Sequence, residues 1–355
     1  MRLRSVTLQN YRNIALARLE LTGERQFFSG ANGQGKTNLL EAVGMLTALR
    51  SFRTADSKLL IAHGQAEAGL AFKIDHEVQG DTTVRITLRG DGKEVCVDQN
   101  RVARLGDYLG QFPTVVFSSQ DLQLVRGAPG ARRRWLDLTL AAMDRSYLLA
   151  LQTYHRALAE RNALLKAGGN MAELAAFEQA MAPAAVALIE RRKADLAALG
   201  IMLTDSYARI ADAPEPVEFL YASDCGEDSP DAFRALMRDN RERDLRMRTT
   251  LRGPHRDDFE FIVQGVSAKD FASEGQQRLL VIALRLAQAD WFEKRSGVKP
   301  ILLADDVVGE LDPCRRERFW SAIGPEIQVM ATSTEVPNGI GAEWRIFRVE
   351  KGKFD

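Results

Sequence analysis

The chain has 355 residues, 48 basic against 48 acidic side chains, four histidines, three cysteines and 45% hydrophobic residues. That length buries enough apolar surface to fold without disulfide or zinc staples, and the dispersed Cys96, Cys225 and Cys314 fit a reducing cytoplasm. No stretch reaches the ~18 uncharged apolar residues of a membrane span, Met1 to Val6 lacks a signal-peptide core, and zero net charge argues against a nucleic-acid partner, because such domains are usually basic.

In chain order, Leu3, Val6 and Leu8 begin a strand, a turn follows at Asn10–Asn13, and Ala15–Leu21 is a second strand. Gln26-Phe27-Phe28-Ser29 is a third, running into Gly30. From Thr37 to about Leu49, apolar Leu39, Leu40, Val43, Leu46 and Leu49 recur at helical spacing. Residues 66–117 alternate as strands, with a hairpin turn at Gly90-Asp91-Gly92 and a buried strand at Pro113–Phe117. Residues 131–212 are rich in Ala, Leu, Arg and Glu, and Gly168-Gly169-Asn170 splits them into a helical hairpin. A strand at Val217–Tyr221 and a basic helix over about 230–248 follow. A strand at Phe259–Val263 and a helix over 274–295 come next, then a buried strand at Ile301–Ala304. A helix over 313–323 and strands near 327–332 and 345–349 end the chain. The predicted fold is α/β with an inserted helical hairpin: lobes over 1–120 and 251–355, insertion over 121–250.

Gly30-Ala31-Asn32-Gly33-Gln34-Gly35-Lys36-Thr37 satisfies G-x4-G-K-[ST] between a strand and a helix. The glycines let successive N–H groups curl toward phosphate oxygens, and the helix N-terminus adds a positive dipole end. Lys36 is expected to reach the β- and γ-phosphates of ATP, and the Thr37 hydroxyl to ligate Mg²⁺, with Asn38 continuing the site. Asp305 and Asp306 end the apolar run Ile301–Ala304; the first carboxylate is placed to hold the metal and the second to activate water. Ser273, Gly275 and Gln276 open a helix. Locally Ser273 reads as an N-cap; its turn also suits another phosphate. The four histidines show no metal spacing.

A P-loop, a Ser-x-Gly-Gln helix start, an Asp-ended strand and Gly309-Glu310-Leu311-Asp312, in that order, resemble the ABC-type ATPase head. In that resemblance Ser273–Gln276 is the signature, Asp305 the Walker B aspartate, Gly309–Asp312 the D-loop and Gln120 the residue that touches metal and water. Arg12 would approach the phosphates. Asp306 stands where wider ABC proteins carry glutamate, implying slow hydrolysis, and Thr332-Ser333-Thr334 stand where transporters carry the switch histidine.

The short helical insertion, with Leu8–Asn13, Phe52-Arg53-Thr54, Phe117–Pro129, Arg132-Arg133-Arg134 and Gly253–Asp258, resembles the RecF family of bacterial replication and repair proteins over essentially the whole chain. The resemblance implies an ATP-driven head-to-tail homodimer on DNA that works with RecR and RecO to load RecA. A transporter-type ATPase subunit and a nuclease head are the rivals; the basic insertion argues against the first and the lack of a second acidic cluster against the other.

Charge is uneven. Residues 126–166 hold eight basic and three acidic residues, and 234–256 hold eight arginines and three acidic residues. A local basic surface neutralises phosphates whatever the net charge. Arg132, Arg133, Arg134, Arg241 and Arg243 are the expected DNA contacts, with little sequence preference.

Overall fold

The computed structural model describes the chain except residues 55, 213–214, 227–228, 308–310 and 337–340. It opens with β1 (Arg2–Tyr11), β2 (Ile14–Glu20), β3 (Arg25–Ser29) and α1 (Lys36–Ala48), then β4 (Glu67–His76), β5 (Gly80–Arg89), β6 (Gly92–Val97) and β7 (Asn100–Arg101). The short α2 (Leu105–Tyr108) and β8 (Thr114–Ser118) precede α3 (Leu122–Arg126), α4 (Pro129–Met143), α5 (Arg145–Ala167) and α6 (Met171–Ile210). Next come β9 (Val217–Ala222), α7 (Pro230–Met247), β10 (Asp258–Val263), β11 (Val266–Ser267), α8 (Ala268–Phe271) and α9 (Glu274–Ser296). The chain closes with β12 (Ile301–Asp305), α10 (Pro313–Ser321), β13 (Val329–Ser333), β14 (Trp344–Glu350) and β15 (Lys353–Phe354).

Two compact units result: Met1–Asp121 with Ser206–Ala213 and Ile282–Asp355, and Leu122–Asp205 with Pro214–Val281. This corrects the expected lobe boundary at residue 250. β10 pairs along its whole length with β9, from Asp258↔Ala222 to Val263↔Val217, so residues 251–281 fold with the helical unit. Residues 206–213 join the first unit, where Arg209 bonds Asp290 at 2.8 Å and Arg318 bonds Asp212 at 2.5 Å.

In the first unit, β2-β1-β4-β5-β6-β7 form an antiparallel sheet, and β15-β14-β3-β13-β12-β8 a second one, parallel but for β15. The strands of the first alternate because only one face is buried; β12 and β13 are continuously buried, as parallel strands covered on both faces must be. α1 contributes Leu39, Leu40, Val43 and Leu46 to a core shared with Leu3, Val6 and Leu8 of β1 and with Leu303 and Met330. Asp305 sits at the C-terminal end of β12, where ligands of parallel sheets bind.

In the second unit, Asp144 caps α5, Gly168 ends it in the left-handed conformation, and Asn170 caps α6. The ion pairs Asp144–Arg191 and Arg161–Glu178 run in opposite chain directions, which makes α5 and α6 antiparallel. By length and composition alone α6 is apolar enough to cross a membrane, although Glu173 and Glu178 interrupt it and leave no run of 18 uncharged residues. It holds an 18-residue window of mean hydropathy 1.3, half of it buried, and Leu174, Met181, Ala182, Ala185, Leu188 and Ile189 are core residues. An alanine- and leucine-rich core helix reaches that hydropathy by composition.

Candidate nucleotide site and arginine surface

The P-loop is built by crowding. A Cβ on Gly30 would lie 2.3 Å from the carbonyl oxygen of Val349, and Gly35 takes φ +113° beside Asn13 Oδ1. Neighbouring elements brace the loop. Asn13 Nδ2 donates to Gly33 O at 2.8 Å, and Gln34 accepts from the N–H groups of Lys351 and Gly352 at 2.7 and 2.8 Å. α1 begins at Lys36, so its first N–H groups lack intrahelical acceptors and face the cleft.

That cleft, of about 200 Å³, is lined by Asn32 to Asn38, Arg53, Asp306 and Thr332. Lys36 Nζ donates to Gly30 O and Ala31 O, the latter at 2.9 Å. Burial pulls its ammonium below the usual lysine range, and Asp306 and Asp305 partly restore it. Thr37 Oγ1 donates to Asp305 Oδ1 at 2.8 Å, and Thr332 Oγ1 to the same oxygen at 2.9 Å. Burial raises the Asp305 carboxyl above the usual range, opposed by those two hydroxyl bonds. Asp306 adopts φ +57°, its N–H bonded to Thr332 Oγ1 at 3.1 Å. Aspartate is among the few residues that visit this conformation routinely, and such backbones cluster at functional sites. A hydroxyl and a carboxylate within one hydrogen bond of each other are hard oxygen donors, and they fit Mg²⁺.

The structure thus brings together Gly30–Asn38, Asp305 and Asp306, and separates other candidates from them. Arg12 does not line the cleft. Its guanidinium grips the buried Glu41 at 2.8 and 2.7 Å. Arg53 takes the place beside the loop, bonding Asn38 Oδ1 at 2.8 Å and also reaching Glu41. Thr332 is the other addition: the parallel register Asp305↔Thr332 delivers its hydroxyl to the aspartates. Neither role is legible locally, since each depends on pairing between distant segments. Gln120 stands exposed on the turn after β8 and does not line the cleft.

Within the second unit, Ser273 and Gln276 form a reciprocal capping box. Ser273 Oγ accepts from Gln276 N at 3.2 Å, and Gln276 Oε1 accepts from Ser273 N at 2.9 Å. Gln276 Nε2 is spent on Glu215 at 3.0 Å, so its side chain serves the helix start. Ser273 and Phe271 are exposed, and Gly275 is half-buried. Of the D-loop, Gly309 and Glu310 lie outside the described residues, while Asp312 caps α10 through Arg315 N at 3.0 Å.

The arginines divide. Arg132, expected on a DNA face, is 4% exposed and binds Asp258 through two 2.8 Å bonds. Arg133 is half-buried and donates to Asp257 O at 2.7 Å. Arg241 is bidentate to the buried Glu178, which also receives the fully buried Arg161 at 3.0 Å. Arg132 and Arg241 are thus committed to carboxylates of the second unit, the second of them buried, and Arg133 to a backbone carbonyl. Arg134 and Arg243 are exposed.

A parallel sheet with a P-loop after β3, an Asp-ended strand one strand away across β13, and an inserted antiparallel helix pair define an ATPase head of the SMC type, and residues 2–349 match the family described as RecF/RecN/SMC N terminal domain. The chain is 35% identical to the DNA replication and repair protein RecF of Trichlorobacter lovleyi, covering 99% of this chain and 98% of that one. It is 36% identical to RecF of Lactobacillus delbrueckii subsp. bulgaricus, over 97% and 94%. The chain belongs to the RecF family. A solved structure of "the recombination mediator protein RecF-ATPrS in RecFOR pathway" superposes with a TM-score of 0.90 at 27% identity, covering 100% of this chain and 97% of that one. An Smc head domain from Pyrococcus furiosus, 14% identical, shares the fold at a TM-score of 0.55, over 99% and 94%.

Proposed function

We propose that this chain is an ATP-dependent DNA-binding protein of recombinational repair and replication restart, with weak ATPase activity in the cytoplasm. The observation that carries the reading is the convergence of the P-loop, Thr37 and Asp306 on one cleft, with Asp305 hydrogen-bonded to Thr37. The N–H groups at the start of α1 hold phosphate oxygens, and Lys36 exchanges the carbonyls of Gly30 and Ala31 for the β- and γ-phosphates. Thr37 and Asp305 would hold Mg²⁺, which supplies charge neutralisation at the phosphates. Asp306, held by Thr332, orients and deprotonates the attacking water. Arg53 supplies the positive charge first expected of Arg12.

Two copies pair head to tail around two ATP molecules, the exposed Ser273 turn of each meeting the P-loop of the other, and slow hydrolysis releases them. The exposure of Ser273 and of Phe271, at 73%, supports a contact surface there. The relatives' printed names, DNA replication and repair protein RecF and the RecFOR pathway, support a place beside RecR and RecO, helping RecA load at single-strand gaps.

Light scattering with and without ATP, and DNA affinity at two salt concentrations, test this in wild type, Lys36→Ala and Ser273→Arg. ATP is expected to drive dimers and DNA binding only in wild type. Dimers or DNA binding indifferent to ATP would refute the reading.

A further inference from the structure

Of the eight arginines over 234–256, Arg234, Arg241 and Arg252 are tied up by Asp231, Glu178 and Asp224, Arg238 stays exposed 3.8 Å from the adjacent Asp239, and Arg256 is exposed. Three others share the C-terminal turn of α7. Arg243, Arg246 and Arg248 are exposed, and their guanidinium groups have no ion-pair or hydrogen-bond partner among the described residues. Met247 between them is 62% exposed, so nothing described packs over this turn.

The turn is nevertheless firmly mounted. Asp244, fully buried, accepts from Arg161 at 2.8 Å and from Leu251 N at 3.1 Å. The Asp244 carbonyl accepts the N–H groups of Arg248 and Thr249. One residue of the turn is thus anchored inward while its neighbours project outward.

Arg248 has φ +54°, ψ +31°, the left-handed conformation in which helices of this kind usually place glycine. A side chain there costs backbone energy that glycine would not. Basic residues also complement the negative end of a helix dipole, which accounts for Arg246. It accounts poorly for Arg248, where the strained backbone works against any such gain. A strained residue that keeps a long cationic side chain points to a task for that side chain.

We propose that the C-terminal turn of α7 is a phosphate-backbone contact for DNA, with Arg243, Arg246 and Arg248 each engaging one phosphate. This rests on the DNA-binding reading above and assigns it a place. Contacts of this kind position a duplex without reading its bases.

The full-length protein, with ATP and Mg²⁺, is titrated against a fluorescent gapped duplex between 50 and 200 mM salt, concentrations set by the usual range of such measurements. Arg248→Gly is expected to melt about 2–4 °C higher, by release of the strained backbone, while its salt slope becomes shallower by about 0.9. Arg243→Gln/Arg246→Gln/Arg248→Gly is expected to lose about 2.7 in slope. Loss of slope together with unchanged or raised melting separates the contact from a structural role. Full slope in the triple variant, or lower melting of Arg248→Gly with intact binding, would overturn the proposal. So would lost binding to phosphatidylserine vesicles with intact DNA binding, which would assign the turn to a lipid surface. Wild type that never binds DNA refutes the underlying functional reading instead.

Discussion

Arg132 and Arg134 lie two positions apart on α4, and replacing each with alanine separates architecture from surface. Arg132→Ala removes two charged bonds of 2.8 Å to Asp258 and leaves the carbonyls of Gly127, at 2.9 Å, and Leu124, at 3.4 Å, without that donor. Breaking a buried ion pair costs about 3–5 kcal/mol. The Asp258 side chain is 20% exposed, so water compensates part of the loss and about 3 kcal/mol is expected. Urea unfolding followed by circular dichroism measures it. With an m-value near ~3 kcal/mol/M, the midpoint falls by about 1 M. Arg134→Ala, on an exposed position, stays within about 0.5 kcal/mol of wild type. At a temperature where both variants are folded, Arg132→Ala keeps wild-type DNA affinity. A variant of Arg132 with unchanged stability and weakened DNA binding would show that its guanidinium faces phosphate, and the burial argument would fail.

Two further outcomes follow from the second unit. Thr250 O can only accept, so His255 Nε2 donates to it at 3.1 Å, and the neutral ring takes the Tyr154 hydroxyl on Nδ1 at 2.7 Å. Burial pushes His255 down to about 4, so the unfolded chain binds the proton more readily than the folded one. The stability it contributes is full above the ordinary histidine value of about 6.5 and is lost as pH falls from there toward 4. A pH series of melting temperatures for wild type and His255→Gln checks this, the variant being flatter over that window; parallel curves would contradict it. Ser273→Asp keeps an oxygen to accept Gln276 N, so the capping box survives and melting stays near wild type, whereas Ser273→Ala loses about 1 kcal/mol. The added charge repels phosphate, so ATP-dependent dimerisation measured by light scattering should vanish in Ser273→Asp. A variant that still dimerises would remove the Ser273 turn from the nucleotide.

Features carried by a few contiguous residues were readable before any folding. The P-loop is one, because glycine, lysine and threonine must stand at set spacing for a single turn to present N–H groups and a hydroxyl together. The apolar run into Asp305-Asp306 is another, because a strand buried on both faces has no polar positions until it ends. The long α5 and α6, with Gly168 between them, follow from composition and helix-capping chemistry.

Pairing between distant segments was a different matter. The division of the units turned on β9 meeting β10, so residues 251–281 left the lobe to which chain order had assigned them. Arg53 and Thr332 reached the cleft through tertiary contacts, while Arg12 was captured by Glu41. The charge balance is the clearest case. Composition counted equal numbers of both signs, and segment counting located two basic stretches, but an arginine's availability depends on whether a carboxylate far along the chain reaches it. Asp258 and Glu178 took Arg132 and Arg241, while Arg243, Arg246 and Arg248 face water. Local chemistry sets what a residue can do, and burial in the folded chain decides which of them are left to do it.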